Sequence, residues 1–116
     1  MADKNIMAAG DILEKLEQVI QSRKGSDPET SYVARLFHKG RKKIAQKVGE
    51  EGVETALAGV LDDRGEVVAE SADLLFHLLV LWADMDIATE EIYAELARRE
   101  GLSGIEEKNS RQEEDQ

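Results

Sequence analysis

The chain has 116 residues, 25 Asp and Glu against 15 Lys and Arg, a single proline and no cysteine. That length fits one domain, and the missing cysteines exclude disulfide scaffolds, thiolate zinc sites and cysteine nucleophiles. The net charge of −10 argues against sequence-independent binding to a nucleic-acid backbone, which needs a basic surface. The longest apolar run, Leu74 to Trp82, falls far short of the ~20 residues that span a bilayer. A soluble, cytoplasmic protein without nucleic-acid or membrane partners is expected.

Apolar spacing reads helix from one end to the other. Ile12, Leu13, Leu16, Val19 and Ile20 form one stripe of a 3.6-residue period, opened by Gly10 or Asp11 and closed by Lys24-Gly25. Ser26-Asp27-Pro28 is turn chemistry. Thr30 or Ser31 then caps a short helix with Tyr32, Val33, Leu36 and Phe37 on its buried side, and Gly40 ends or kinks it. A long third helix is expected from Arg41 to Leu61, with Val53, Ala56, Leu57, Val60 and Leu61 clustered on one side of its second half. Asp62-Asp63-Arg64-Gly65 interrupts, and a fourth helix runs from Gly65 to Met85, apolar almost all round between Leu74 and Trp82. A fifth helix ends near Arg98-Arg99, with Ile92, Tyr93 and Leu96 inward and Gly101 as stop. No alternating β-branched stretch competes, so the expected fold is an all-α bundle of about five helices over residues 11–101, with flexible ends at 1–10 and 102–116. The third and fourth helices, joined by a few residues, should lie antiparallel. A helix buried on nearly every side needs more neighbours than so short a chain provides, which predicts a symmetric homodimer.

Charge is uneven along the chain. Between Thr30 and Gly49 there is no acid, yet Arg35, Lys39, Arg41, Lys42, Lys43 and Lys47 all fall there. Such a strip in an acidic protein is either a solvated helix face or the contact for a small anionic ligand. The acids that follow are paired across two helices. Glu51 and Glu54 are three apart on one helix, Glu70 and Asp73 repeat that spacing on the next, and Glu50 sits at the edge of the first face. Glu70 and Asp73 directly precede the apolar Leu74 run, where an unpaired carboxylate costs several kcal/mol. A divalent cation or the basic strip has to neutralise them. An all-oxygen cage of this kind suits Mg²⁺ or Mn²⁺ better than zinc.

The segments Ser31 to Leu36, Lys43 to Glu54 (K-I-A-Q-K-V-G-E-E-G-V-E) and Glu70 to Leu74 (E-S-A-D-L) resemble the phosphoribosyl-ATP pyrophosphohydrolases of histidine biosynthesis. Those belong to the MazG-like all-α NTP pyrophosphatases, marked by E-E-x-x-E followed by E-x-x-D. Here that motif is Glu50-Glu51-x-x-Glu54, fifteen residues, then Glu70-x-x-Asp73. The stretch ending at Arg111 is similar to the ending of the stand-alone enzymes. The resemblance implies Mg²⁺-dependent hydrolysis of phosphoribosyl-ATP to phosphoribosyl-AMP and pyrophosphate, with Glu51, Glu54, Glu70 and Asp73 as metal ligands. Glu50 is then a second-metal ligand or the base that orients water. Lys47, one turn before the acids, is the foremost phosphate contact, with Lys43 and Lys39 behind it. His77, one turn after Asp73, is either a satisfied core histidine or a hydrogen-bond partner of a metal-holding carboxylate. The tail, with Arg111, either folds over substrate or stays disordered.

Three rivals are weighed against this expectation. A house-cleaning NTP pyrophosphatase would use the same fold and metal, but the Lys43 to Gly49 run speaks against it. A di-iron bundle needs Glu-x-x-His on two helices, and the chain has none. A non-catalytic adaptor bundle leaves the acids beside Leu74 without a purpose.

Overall fold

A computed structural model describes residues 11–101, and the expected flexible ends, 1–10 and 102–116, lie outside the described residues together with Arg111. Within them the chain forms α1 (Ile12–Ser22), α2 (Tyr32–Lys39), α3 (Arg41–Val60), α4 (Arg64–Asp84) and α5 (Thr89–Glu100). No strand occurs among the described residues.

Local chemistry sets the helix boundaries. The Ser31 hydroxyl accepts from the Ala34 N–H at 3.1 Å to start α2, and the Asp63 carboxylate accepts from the Glu66 N–H at 3.2 Å to start α4. Gly40, at φ 98°, turns the chain between α2 and α3 in a conformation that a side chain would strain. The third helix stops one residue short of expectation, at Val60. Asp62 there adopts φ 56°, and the Asp63 and Asp62 N–H groups reach back to the Ala58 and Gly59 carbonyls at 3.0 and 3.1 Å. This is the Schellman closure, with aspartate in place of the usual glycine. The end of α4 repeats it through Asp86, at φ 57°, with the Ile87 N–H on the Trp82 carbonyl at 2.8 Å.

The tight turn at Asp62 makes α3 and α4 antiparallel, as expected. Arg41 at the start of α3 binds Asp84 at the end of α4, and Glu51 meets His77 midway. This pairing is the backbone of the fold; α1 packs on α4, and α2 bridges α3 and α4. The core consists of Ile20, Val33, Leu36, Ile44, Leu79, Val80 and Ala83, with Phe37, Phe76 and Trp82 packed around it.

The remaining helix is held by polar contacts. The Glu17 carboxylate on α1 accepts from the Thr89 N–H at 2.8 Å and the Thr89 hydroxyl at 3.2 Å, at the positive end of α5 where an anion is favoured. Thr89 is buried, so Glu17→Ala should cost about 1–2 kcal/mol in urea denaturation. Turnover of the folded protein should be unchanged.

Two packing expectations fail in the single chain. Leu96 points outward, 60 % exposed, rather than into the core, and Tyr32 is half-exposed. The stripe on the second half of α3 also stays uncovered: Val53, Leu57, Val60 and Leu61 are exposed, together with Val68 on α4. Helical periodicity locates an apolar face correctly but does not say which element covers it.

Candidate active site

The motif acids face one another across α3 and α4. Glu51 is buried beside Lys47, with Asp73 and His77 approaching it from α4. One turn further along, Glu54 contacts Glu70. Asp73 lies close enough to both Glu51 and Glu70 to disfavour their charged forms, and so joins the two pairs. The antiparallel register produces this, since motion toward the C-terminus of α3 runs toward the N-terminus of α4.

The contact with Glu54 disfavours the charged form of Glu70. Glu70 is pushed up to about 7, first by its hydrogen bond with Glu54, then by desolvation and the charges of Glu54, Asp73 and Glu66. Two carboxylates in contact share a proton when no cation separates them. Burial is the largest influence on Glu51 and raises its pKa; His77 opposes this, Asp73 reinforces it, and Lys47 opposes it again.

Two carboxylate oxygens are completely covered: Glu70 Oε2 accepts no hydrogen bond, and Glu51 Oε1 has only the His77 Nδ1 beside it, at 2.6 Å and out of line for one. An orphaned anionic oxygen is costly, and a hard divalent cation is the partner that an all-oxygen donor set fits. Among the described residues no three acid or histidine side chains already converge as a closed cage. The acids stand instead as the pairs Glu54–Glu70 and Glu51–Asp73.

The other expected site residues separate. Glu50 is exposed and held by the Gln46 amide at 3.2 Å, on the outer edge of the acid face. Lys47 and Lys43 are half-buried on α3, whereas Lys39 on α2 is exposed. Arg41 and Arg35 have structural partners: Arg41 binds Asp84, and Arg35 donates to the Pro28 carbonyl at 3.2 Å. A cleft of about 250 Å³ opens beside Glu54 and Glu70 and is floored by Leu57, Ala58 and Leu61.

His77 is a core histidine, one of the two roles expected of it. It is buried in the core and its Nδ1 lies 2.6 Å from Glu51 Oε1. The tyrosine hydroxyl at its other nitrogen, Tyr32 at 2.8 Å, is a neighbour that sequence reasoning missed. No spacing rule links positions 32 and 77, and only the packing of α2 against α4 brings them together.

Comparison with known proteins adds the deciding observation. The family model described as "Phosphoribosyl-ATP pyrophosphohydrolase" matches residues 13–100. The chain belongs to that family. Three relatives match over nearly their whole length. The phosphoribosyl-ATP pyrophosphatase of Azospirillum brasilense is 55 % identical over 96 % of this chain and 98 % of its own. That of Paramagnetospirillum magneticum is 60 % identical over 86 % and 92 %. That of Novosphingobium aromaticivorans is 57 % identical over 90 % and 98 %. The pyrophosphohydrolase match contains all four paired acids, Glu50 and the three lysines.

Proposed function

We propose that the chain hydrolyses phosphoribosyl-ATP to phosphoribosyl-AMP and pyrophosphate in histidine biosynthesis, with Mg²⁺ as cofactor and Mn²⁺ as possible substitute. The observation that carries this reading is the paired acid cluster, with its two fully covered carboxylate oxygens, in a chain of the pyrophosphohydrolase family. Glu51, Glu54, Glu70 and Asp73 hold the cation. When bound, it supplies charge neutralisation for the triphosphate and for the departing pyrophosphate. Lys47 and Lys43, half-buried one and two turns before the acids, steady the phosphate oxygens, and Lys39 contributes from the rim. Water adds to phosphorus while the α–β phosphoanhydride bond breaks. Glu50, exposed at the edge of the cluster, receives the water's proton or helps to hold a second ion. The sequence runs shared with the family favour this substrate over the unwanted nucleotides of a house-cleaning enzyme.

Purified protein given phosphoribosyl-ATP should release pyrophosphate only with added Mg²⁺. Faster release from dUTP or dCTP would assign it to the house-cleaning class instead.

The enzyme works as a cytoplasmic homodimer in this reading. No helix among the described residues is long and apolar enough to cross a membrane. The uncovered Val53, Leu57, Val60, Leu61 and Val68 lie on the two helices that carry the site, so a second copy would bury them and close the joint bundle. At ~25 cal/mol per Å², such side chains repay burial with several kcal/mol per protomer pair. Leu57→Asp with Leu61→Asp should convert the sedimenting species from dimer to monomer. A wild-type protein that sediments as a monomer at micromolar concentration defeats the dimer.

A further inference from the structure

The buried imidazole of His77 touches three elements at once. Its Nε2 is 2.8 Å from the Tyr32 hydroxyl on α2, and its Nδ1 is 2.9 Å from the Asp73 carbonyl on α4. The same Nδ1 is 2.6 Å from Glu51 Oε1 on α3. The Asp73 carbonyl is an acceptor and never a donor, so at that distance the hydrogen must sit on Nδ1. In the neutral ring Nε2 is then an acceptor, and the Tyr32 O–H donates to it. The Asp73 carbonyl therefore selects the tautomer, and the tyrosine hydroxyl, which can donate or accept, anchors the Nε2 edge of the ring. The Nδ1–H points at the Asp73 carbonyl, which leaves Glu51 Oε1 against the polar edge of the ring but without an in-line donor.

The ring is itself immobilised. It meets Phe76 edge-on at 5.3 Å and Tyr32 edge-on at 5.8 Å between centroids, while Tyr32 stacks on Phe76 at 6.4 Å. Glu51 is thereby pressed by a fixed ring that cannot swing away, and the wrong tautomer would set a lone pair against a carboxylate oxygen. We propose that Tyr32 and His77 are positioning residues for the buried Glu51 carboxylate, the tyrosine hydroxyl anchoring the ring against which Glu51 Oε1 lies.

This inference rests on the reading of Glu51 as a cation ligand. Partners behind a metal-holding carboxylate typically change affinity or activity by ~10–100-fold when removed. Tyr32 is half-exposed, so Tyr32→Phe keeps its ring packing and loses only the hydroxyl. The expected result is about a tenfold rise in the Mg²⁺ concentration for half-maximal activity and a lower kcat, with KM for phosphoribosyl-ATP nearly unchanged. Mn²⁺ affinity measured by calorimetry without substrate should weaken in parallel. The ¹⁵N spectrum of the imidazole should show one Nδ1–H tautomer in the wild type, and in Tyr32→Phe the Nε2 resonance should shift because that nitrogen loses its hydrogen bond. His77→Asn, which keeps a donor near the Nδ1 position, should retain more cation affinity than His77→Leu. If Tyr32→Phe leaves Mn²⁺ affinity, the Mg²⁺ requirement and the ¹⁵N spectrum at wild-type values, the positioning role is overturned. A wild-type protein that binds neither Mn²⁺ nor Mg²⁺ overturns the cation-site reading itself, a separate and recognisable failure.

Discussion

Glu54→Gln should reduce pyrophosphate release at least about 100-fold, because it removes a carboxylate proposed to hold the cation that neutralises the phosphates. The fold should survive. Glu54 is solvent-exposed, so its packing contribution is small, and its hydrogen bond to Glu70 is one that glutamine can make without sharing a proton. Removing one of two carboxylates in contact also removes repulsion, so the variant without divalent cation should melt at or above the wild-type temperature. In the wild type Mg²⁺ should raise the melting temperature, because a ligand that binds only the native state stabilises it. In Glu54→Gln most of that rise should vanish. Asp73→Asn, at the junction of the two acid pairs, should behave alike. Near-wild-type turnover in both variants, assayed at saturating substrate, would show that the chemistry lies elsewhere.

The second large effect concerns pH and the same cation. Glu70 in the folded protein titrates near 7, against an ordinary 4.5. Between those values the unfolded chain has already lost this proton while the folded chain keeps it. The folded state thus binds more protons, and stability falls as pH rises through the window. A cation displaces the shared proton, so its benefit runs the other way. The Mg²⁺-induced increase in melting temperature should be small near pH 4.5, grow with pH and level off above about 7. Glu70→Gln has no such proton to lose. Its cation-free melting curve should therefore decline less than the wild type's across that interval. Thermal melts at several pH values, with EDTA and with Mg²⁺, provide the comparison. A Mg²⁺ benefit that is constant from pH 5 to pH 8 would mean that no proton competes with the cation.

The two effects have one source. The acids of α3 and α4 face one another as the pairs Glu54–Glu70 and Glu51–Asp73, and the hairpin of these two helices holds them there. The Schellman turn at Asp62 and the Arg41–Asp84 ion pair fasten the two ends of this hairpin. Like charge brought together at the proposed cation and triphosphate site disfavours the empty state.

Much of the helical layout is legible along the chain, because helix starts, stops and apolar faces are local properties. Ser31 and Asp63 cap where their side chains can reach an N–H three residues on, and Gly40 breaks the chain where φ turns positive. The spacing of Glu51 with Glu54 and of Glu70 with Asp73 puts each pair on one helix face without any knowledge of the fold. The resemblance that names the family lies in the same contiguous runs. The covering of those faces is not local. Leu96 has the periodicity of a core residue and stands in solvent, and Leu57 and Leu61 do the same, because a helix's rotation depends on its neighbours.

By itself, then, the sequence determined the five helices of residues 11–101, an antiparallel α3–α4 pair, the acids that this pair carries and the family to which they belong. The tertiary structure alone decided that Glu54 contacts Glu70, that Asp73 links the two acid pairs, that Glu50 faces outward and that Tyr32 and His77 stand behind Glu51. The physical reason is that periodicity specifies a face, whereas contact between faces follows from the axial register and rotation of whole helices, which the packed core of Ile20, Leu36, Ile44 and Val80 sets.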